Sequence, residues 1–223
     1  MSPELQRKLA VEFVGMFLFA FTVGMATNTA GAGALAPLAI GSILMVMVFA
    51  GGHVSGGHFN PAVSTAVLLR GRMARDEFGA YLLTQFAAAV LAGLLARYVG
   101  GREQHAVVAS AGKMLIVEFL FTFALAWVVL HVATAHGTEG NSFYGLAIGF
   151  TVLAGALAVG GISGGAFNPA IALGAMVTGL FEWSNIWIYL LADFLGAAAA
   201  AWAFLYVLPA EKPTGDIEAA STG

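Results

Sequence analysis

Apolar residues gather along this chain in six long blocks, at about residues 9–28, 34–51, 79–98, 114–134, 143–160 and 186–207. Short polar or glycine-rich breaks separate them. Each block is close to the roughly 20 residues that an α-helix needs to cross a hydrocarbon core about 30 Å thick. The pattern therefore predicts six membrane-spanning helices. The first block follows Arg7 and Lys8, as a signal peptide would. It is too long for one, holds Glu12, and ends at no small-residue cleavage site, so a retained helix is expected.

Composition agrees with a lipid environment: 60% of residues are hydrophobic and 9% are charged, against about 25% charged in soluble domains. The formal net charge of −3 says little about partners, because in a membrane protein location matters more than the sum. No cysteine is present, which excludes disulfides and thiolate chemistry. With the N-terminus inside, Arg7, Lys8, Arg70, Arg72, Arg75 and Lys212 fall inside, and Arg97, Arg102 and Lys113 fall outside. This bias predicts cytoplasmic N- and C-termini in a multi-pass protein of the cell membrane.

The chain also repeats itself. Ser55–Ala62 reads S-G-G-H-F-N-P-A and Ser163–Ala170 reads S-G-G-A-F-N-P-A, seven of eight positions matching at an offset of 108 residues. At the same offset, Tyr81-Leu-Leu-Thr-Gln85-Phe86 matches Tyr189-Leu-Leu-Ala-Asp193-Phe194. Glu12-Phe13 corresponds to Glu118-Phe119 at an offset of 106. Each half, about 5–98 and 112–207, thus holds three spans with the Asn-Pro-Ala segment between its second and third. Three is odd, so the second half must enter the membrane inverted, the arrangement of many transport folds. A single channel domain over 1–208 and a short disordered tail over 209–223 are expected.

Each Asn-Pro-Ala opens a short apolar segment, Asn60 to Arg70 and Asn168 to Thr178, and a glycine follows each. Asn is a good N-cap, Pro suits the first helical position, and Gly commonly follows a helix end. Eleven residues rise about 16 Å, half of the core. Two half-helices entering from opposite faces would meet at the midplane. Irregular backbone before them is tolerable only where protein or water satisfies it. Their positive dipole ends and the Asn60 and Asn168 amides would face the centre, opposing cations and breaking a proton wire.

The doubled motif Asn60-Pro61-Ala62 and Asn168-Pro169-Ala170, the G-H-V-S-G-G-H-F-N-P-A-V-S stretch at 52–64 and the paired glutamates resemble the aquaporin, or major intrinsic protein, family. The resemblance covers about residues 5–208. It implies an all-α membrane protein, an inverted repeat of six transmembrane helices plus two re-entrant half-helices. It also implies a pore in every subunit, a homotetramer, and loop-bracing roles for Glu12 and Glu118. His58 is expected to order its loop by hydrogen bonds. The family usually places Arg after the second Asn-Pro-Ala, where this chain has Ile171; the matching ring is then Ile40, Ala156, Gly165 and Ile171. None of the four offers a side-chain hydrogen bond, and losing Arg removes a charge and up to five donors. A permissive filter for water and small neutral solutes such as ammonia, hydrogen peroxide, urea or metalloid acids follows. Glycerol-conducting relatives usually have Asp at the position of Ala172, so that subgroup fits poorly.

Other readings are weaker. Gly161-Ile-Ser163-Gly-Gly165 matches a nucleophile-elbow pattern, but all five histidines precede Ser163, unlike in the intramembrane proteases it resembles. His53 and His58 lack further ligands for a metal, and no cofactor or nucleic-acid partner is implied. His131 and His136 are expected as solvated loop histidines. A non-conducting scaffold or adhesion protein on the same fold is the alternative. Asp193 stands apart as a carboxyl within the last span; it is either an internal hydrogen-bonding group, protonated or not, or a functional one. Met45–Met47 and Phe119–Phe123 suit packing or lipid, and Gly196–Ala201 suits close helix contact.

Overall fold

The computed structural model describes residues 1–28, 30–101 and 109–212. Eight α-helices are formed there: α1 Pro3–Ala26, α2 Ala36–Ser55, α3 Pro61–Leu69, α4 Arg75–Gly100, α5 Ala111–Thr134, α6 Tyr144–Ser163, α7 Pro169–Thr178 and α8 Ile186–Val207. No strand occurs among the described residues. Six of the helices are long and apolar enough to cross a membrane, as the hydropathy pattern predicts; α3 and α7 are the short ones.

Local chemistry sets the ends. Ser2 caps α1, its hydroxyl accepting from the Leu5 N–H at 3.2 Å, and Pro3 takes the first helical position. Helix α2 continues four residues beyond the expected boundary, through Gly51 and Gly52, and stops where Gly56 turns left-handed at φ 87°. Helix α6 ends in the same way at Gly164, φ 88°. Helix α4 starts earlier than its apolar block because Asp76 and Glu77 suit a helix N-terminus.

Packing follows the repeat. Helix α1 lies against α4 as α5 lies against α8, while α2 packs against α6 across the two halves. Small residues bring these backbones together. A Cβ on Gly41 would sit 2.7 Å from the Gly149 carbonyl oxygen, and one on Gly149 would sit 2.5 Å from that of Gly41. Gly93 meets the Gly174 carbonyl on α7, and Gly196 meets the Phe119 carbonyl on α5. Such contacts are the usual means of helix association in lipid, where apolar burial supplies no drive. Leucine, phenylalanine and tryptophan side chains such as Leu83, Leu157 and Trp202 cover the exposed outer faces.

Two expectations are corrected. The start of the tail is ordered, because Pro209–Glu211 forms a 3₁₀ turn whose Glu211 is buried against Arg70. The remainder of the tail, and Arg102, lie outside the described residues. His131 is no loop residue: it lies within α5 between Trp127 and Phe204, ring centroids 4.2 and 4.9 Å away.

Candidate functional site

The segments between α2 and α3, and between α6 and α7, fold inward as matching loops. Phe59 and Phe167 adopt left-handed backbone angles, φ 44° and 47°, that large side chains rarely take. This geometry turns successive N–H groups onto one buried carboxylate. Glu12 Oε1 accepts from the Ser55 hydroxyl at 2.8 Å and the His58 N–H at 2.9 Å; its Oε2 accepts from the Phe59 N–H and the Gln85 amide, both at 2.8 Å. In the second half, Glu118 Oε1 accepts from Ser163 Oγ at 2.5 Å and the Ala166 N–H at 3.0 Å, and Oε2 from the Phe167 N–H at 2.7 Å. Tyr81 and Tyr189 complete the brackets by donating to the carbonyls of Ser55 and Ser163.

Beyond the phenylalanines, the two loops lock into each other. Asn60 Nδ2 donates to the Phe167 carbonyl and Asn168 Nδ2 to the Phe59 carbonyl, each at 2.8 Å. Each Asn oxygen caps its own half-helix: Asn60 Oδ1 accepts from the Ala62 N–H, and Asn168 Oδ1 from Ala170 and Ile171. The oxygens are thereby committed to protein. One N–H of each amide is left for the narrow cavity that both residues line with Phe19, Leu44, Val63 and Val152. That cavity, about 10 Å³, has room for about one water. Pro61, Ala62, Pro169 and Ala170 form the buried first turns behind it.

The four filter positions lie on three helices, α2, α6 and α7, and on the loop between the last two. Gly165 approaches Ala156 on α6, whose Cα would be 3.4 Å from an added Cβ. Ile171, in the first turn of α7, is 4% exposed, and Ile40 on α2 is half-buried. Ala172 is fully buried.

His58 joins its loop through its ring as well as its N–H. Nδ1 lies 3.0 Å from Ser64 Oγ, and the ring tilts against Tyr81. In the second half Ala166 replaces it, and Phe181 fills the gap from the loop after α7. A Cβ on Gly164 would meet that ring at 2.2 Å, and Phe181 stacks on Tyr189. Gln85, Ser64, Thr122 and the two tyrosines carry no motif that sequence reading singles out for this role. The 108-residue correspondence of Tyr81 and Gln85 with Tyr189 and Asp193 was the available signal.

On the face that bears the described termini, a vestibule of about 620 Å³ opens, lined by Lys8, His53, His58, Arg72, His136 and Tyr144 among others. Beneath it Arg70, 2% exposed, ties α3 to the rest of the molecule. Its guanidinium donates to Thr134 Oγ1 and the Thr134 carbonyl, to the Glu211 carbonyl (each 2.9 Å) and to the Glu211 carboxylate, and it stacks over Phe204. The His136 N–H donates to Glu211 Oε1 at 2.7 Å, and the His136 ring lies 2.9 Å from Oε2. The His136 N–H first, then its ring and Arg70, hold the Glu211 carboxyl down to about 2 from an ordinary 4.5. Ser163, the candidate nucleophile, donates to Glu118 and has no histidine partner among the described residues.

Comparison with known proteins gives a consistent picture. The family model described as "Major intrinsic protein" matches residues 1–204. The chain is 40% identical over 183 residues to Aquaporin NIP1-1 of Zea mays, covering 79% of this chain and 64% of that protein. It is 36% identical to Aquaporin NIP1-4 of Oryza sativa subsp. japonica over 226 residues, 97% of this chain and 81% of the relative. The match to the maize protein thus spans a little under two thirds of that relative's length. Among solved structures, the aquaglyceroporin from Plasmodium falciparum superposes with a TM-score of 0.78 at 19% identity, over 93% of this chain and 98% of the other, a likeness of fold.

Proposed function

Because the chain belongs to the major intrinsic protein family, a family of passive, non-enzymatic channels, we propose that its pore conducts water together with small uncharged solutes. The observation that carries this reading is the crossed pair of Asn60 and Asn168 amides at the midplane cavity. Each presents a donor, and neither presents an acceptor. A water accepting from both must point its own hydrogens away, so a hydrogen-bonded proton wire is interrupted there. The N-terminal ends of α3 and α7 add positive potential against cations.

Selectivity is assigned to Ile40, Ala156, Gly165 and Ile171. An aliphatic ring without the usual Arg returns few hydrogen bonds to a stripped water, and the small Ala156 and Gly165 leave room for bulkier neutral solutes. Ammonia, hydrogen peroxide, urea and neutral metalloid acids are small uncharged solutes that such a ring would admit. The excess of Lys and Arg on one side supports cytoplasmic termini in the cell membrane, and kinship with the family supports a homotetramer.

Stopped-flow measurements on proteoliposomes test the reading. Vesicles with the protein should shrink osmotically and re-swell with urea or metalloid acids faster than protein-free vesicles. Ile171→Arg should cut solute flux severalfold while sparing water. Flux no greater than that of bare lipid would remove the channel reading. An unchanged solute profile in Ile171→Arg would remove the filter assignment.

A further inference from the structure

The two loop brackets differ in one respect that bears on protonation. In the first half, the Gln85 amide donates to Glu12 Oε2 and to Ser64 Oγ. At the corresponding place in the second half stands Asp193, fully buried, with its Oδ1 held by Thr122, one turn along α5 from Glu118. Ser64 is matched there by Ala172, which has no hydroxyl. Glu118 Oε2 therefore accepts from the Phe167 N–H alone, one donor fewer than Glu12 Oε2. Asp193 Oδ1 accepts from Thr122 Oγ1 at 3.0 Å, while its Oδ2 has no donor. Gln85 Oε1 is also without a partner, so an orphan oxygen at this site is not the distinguishing fact. The distinguishing fact is a second buried carboxyl beside the bracket where the first half has an amide.

The groups facing Asp193 do not neutralise a second negative charge. Helix α5 offers Glu118 and the hydroxyl of Thr122; the end of α6 offers Ser163 and the loop before α7 the Asn168 backbone N–H; α8 itself offers Tyr189, whose hydroxyl is already donated to the Ser163 carbonyl. The α3 and α7 segments, Pro61–Leu69 and Pro169–Thr178, contain no titratable side chain. Among the described residues, no Lys, Arg or His pairs with either carboxyl. Two neighbouring carboxylates buried inside a membrane cannot both be ionised. One proton between them supplies the donor that Glu118 and Asp193 each lack.

We propose that Glu118 and Asp193 form a proton-binding site, holding one shared proton in a carboxyl–carboxylate bridge that takes the place of the Glu12–Gln85 amide bridge. The proton belongs to the pair rather than to either residue. When it leaves to the pore water, two like charges face each other beneath the Ala166 and Phe167 N–H groups. The second loop loosens, and with it the Phe167 carbonyl that holds the Asn60 amide. The site thus makes the second half of the pore, and not the first, sensitive to alkaline pH. Asp193 acts here as a positioning residue.

The flux arm of the test rests on the channel reading; the spectroscopic arm does not. Infrared difference spectra of the full-length protein in lipid should show a protonated-carboxyl C=O band at neutral pH. Asp193→Asn should abolish it, and alkaline titration should remove it in wild type. Water flux should fall severalfold in alkaline buffer for wild type and stay level for Asp193→Asn. Asp193→Gln, which copies the first half, is the second variant should the first fail to fold. Absence of the band in wild type at neutral pH, or its survival in both variants, overturns the proposal. So does an alkaline decline of equal size in wild type and variant. Vesicles that conduct at no pH would overturn the channel reading, while the band would still decide the proton.

Discussion

A carboxylate is the side chain that can hold several converging N–H groups at once, since it has acceptor sites on two oxygens and no donor. Glu12 uses this capacity fully, with two donors on each oxygen and no exposure to solvent. Aspartate would be shorter by one methylene, and glutamine would replace one oxygen by a donor. In Glu12→Gln, whichever way the amide turns, its NH₂ meets a backbone N–H of His58 or Phe59. Leaving buried groups without partners costs about 1–3 kcal/mol each, so a loss of about 2–5 kcal/mol is expected. Thermal denaturation in detergent micelles reads this directly, and a midpoint equal to that of wild type would contradict the bracket. Residue-level substitution also explains why the halves need not be identical. His58 fills the space against Tyr81 from within its own loop, whereas Phe181 fills the equivalent space against Tyr189 from outside it.

The half-helices are asymmetric at their far ends. Helix α7 stops at Gly179, φ 91°, with a left-handed turn. Helix α3 stops at Arg70, whose charge suits a helix C-terminus and whose guanidinium clamps α5, α8 and the Pro209–Glu211 turn together. Hydropathy counts Arg70 as one more interior-side charge; only the packed helices show that it is buried and needs Glu211. The consequence is a pH dependence of the latch. The Glu211 carboxyl lies at about 2 in the folded protein against an ordinary 4.5. A carboxyl held down in this way stabilises fully above its unfolded value and loses that contribution as pH falls through the folded one. The latch should therefore be intact above about pH 4.5 and released progressively toward about pH 2. Hydrogen exchange at the His136 amide, which donates to Glu211, should accelerate across that window once corrected for intrinsic rates. Glu211→Gln should show the faster exchange at neutral pH as well. Protection independent of pH through the window would show that the carboxylate is not what secures the turn.

For the whole molecule, what was legible in the sequence was what the repeat and the bilayer dictate. The six spans follow from length and apolarity, and the half-helices from Asn-Pro capping and the rise per residue. The paired glutamates were visible through their matched offset. What was hidden depends on which side chains meet across helices distant in sequence: Gln85 with Glu12, Thr122 with Asp193, Arg70 with Glu211. Periodicity carries no record of such pairs, because each member alone reads as an ordinary polar residue. The same holds for the junction between the halves. The motif places two asparagines near the midplane, but the structure shows each amide bound to the opposite loop, across 107 and 109 residues of chain. That reciprocal bond makes the two halves one mechanical unit. Removing either side chain frees one loop carbonyl and relaxes a strained phenylalanine that the other amide also depends on. Asn60→Ala and Asn168→Ala should therefore be non-additive: the double variant should lose less stability than the sum of the singles, with a coupling of about 0.5–3 kcal/mol. Denaturation midpoints of the four proteins in one detergent give that coupling. Simple addition would mean that the loops are held separately by Glu12 and Glu118. In the coupled case, proton exclusion and folding share the same two hydrogen bonds, and the singles should already leak protons in a pH-gradient dye assay.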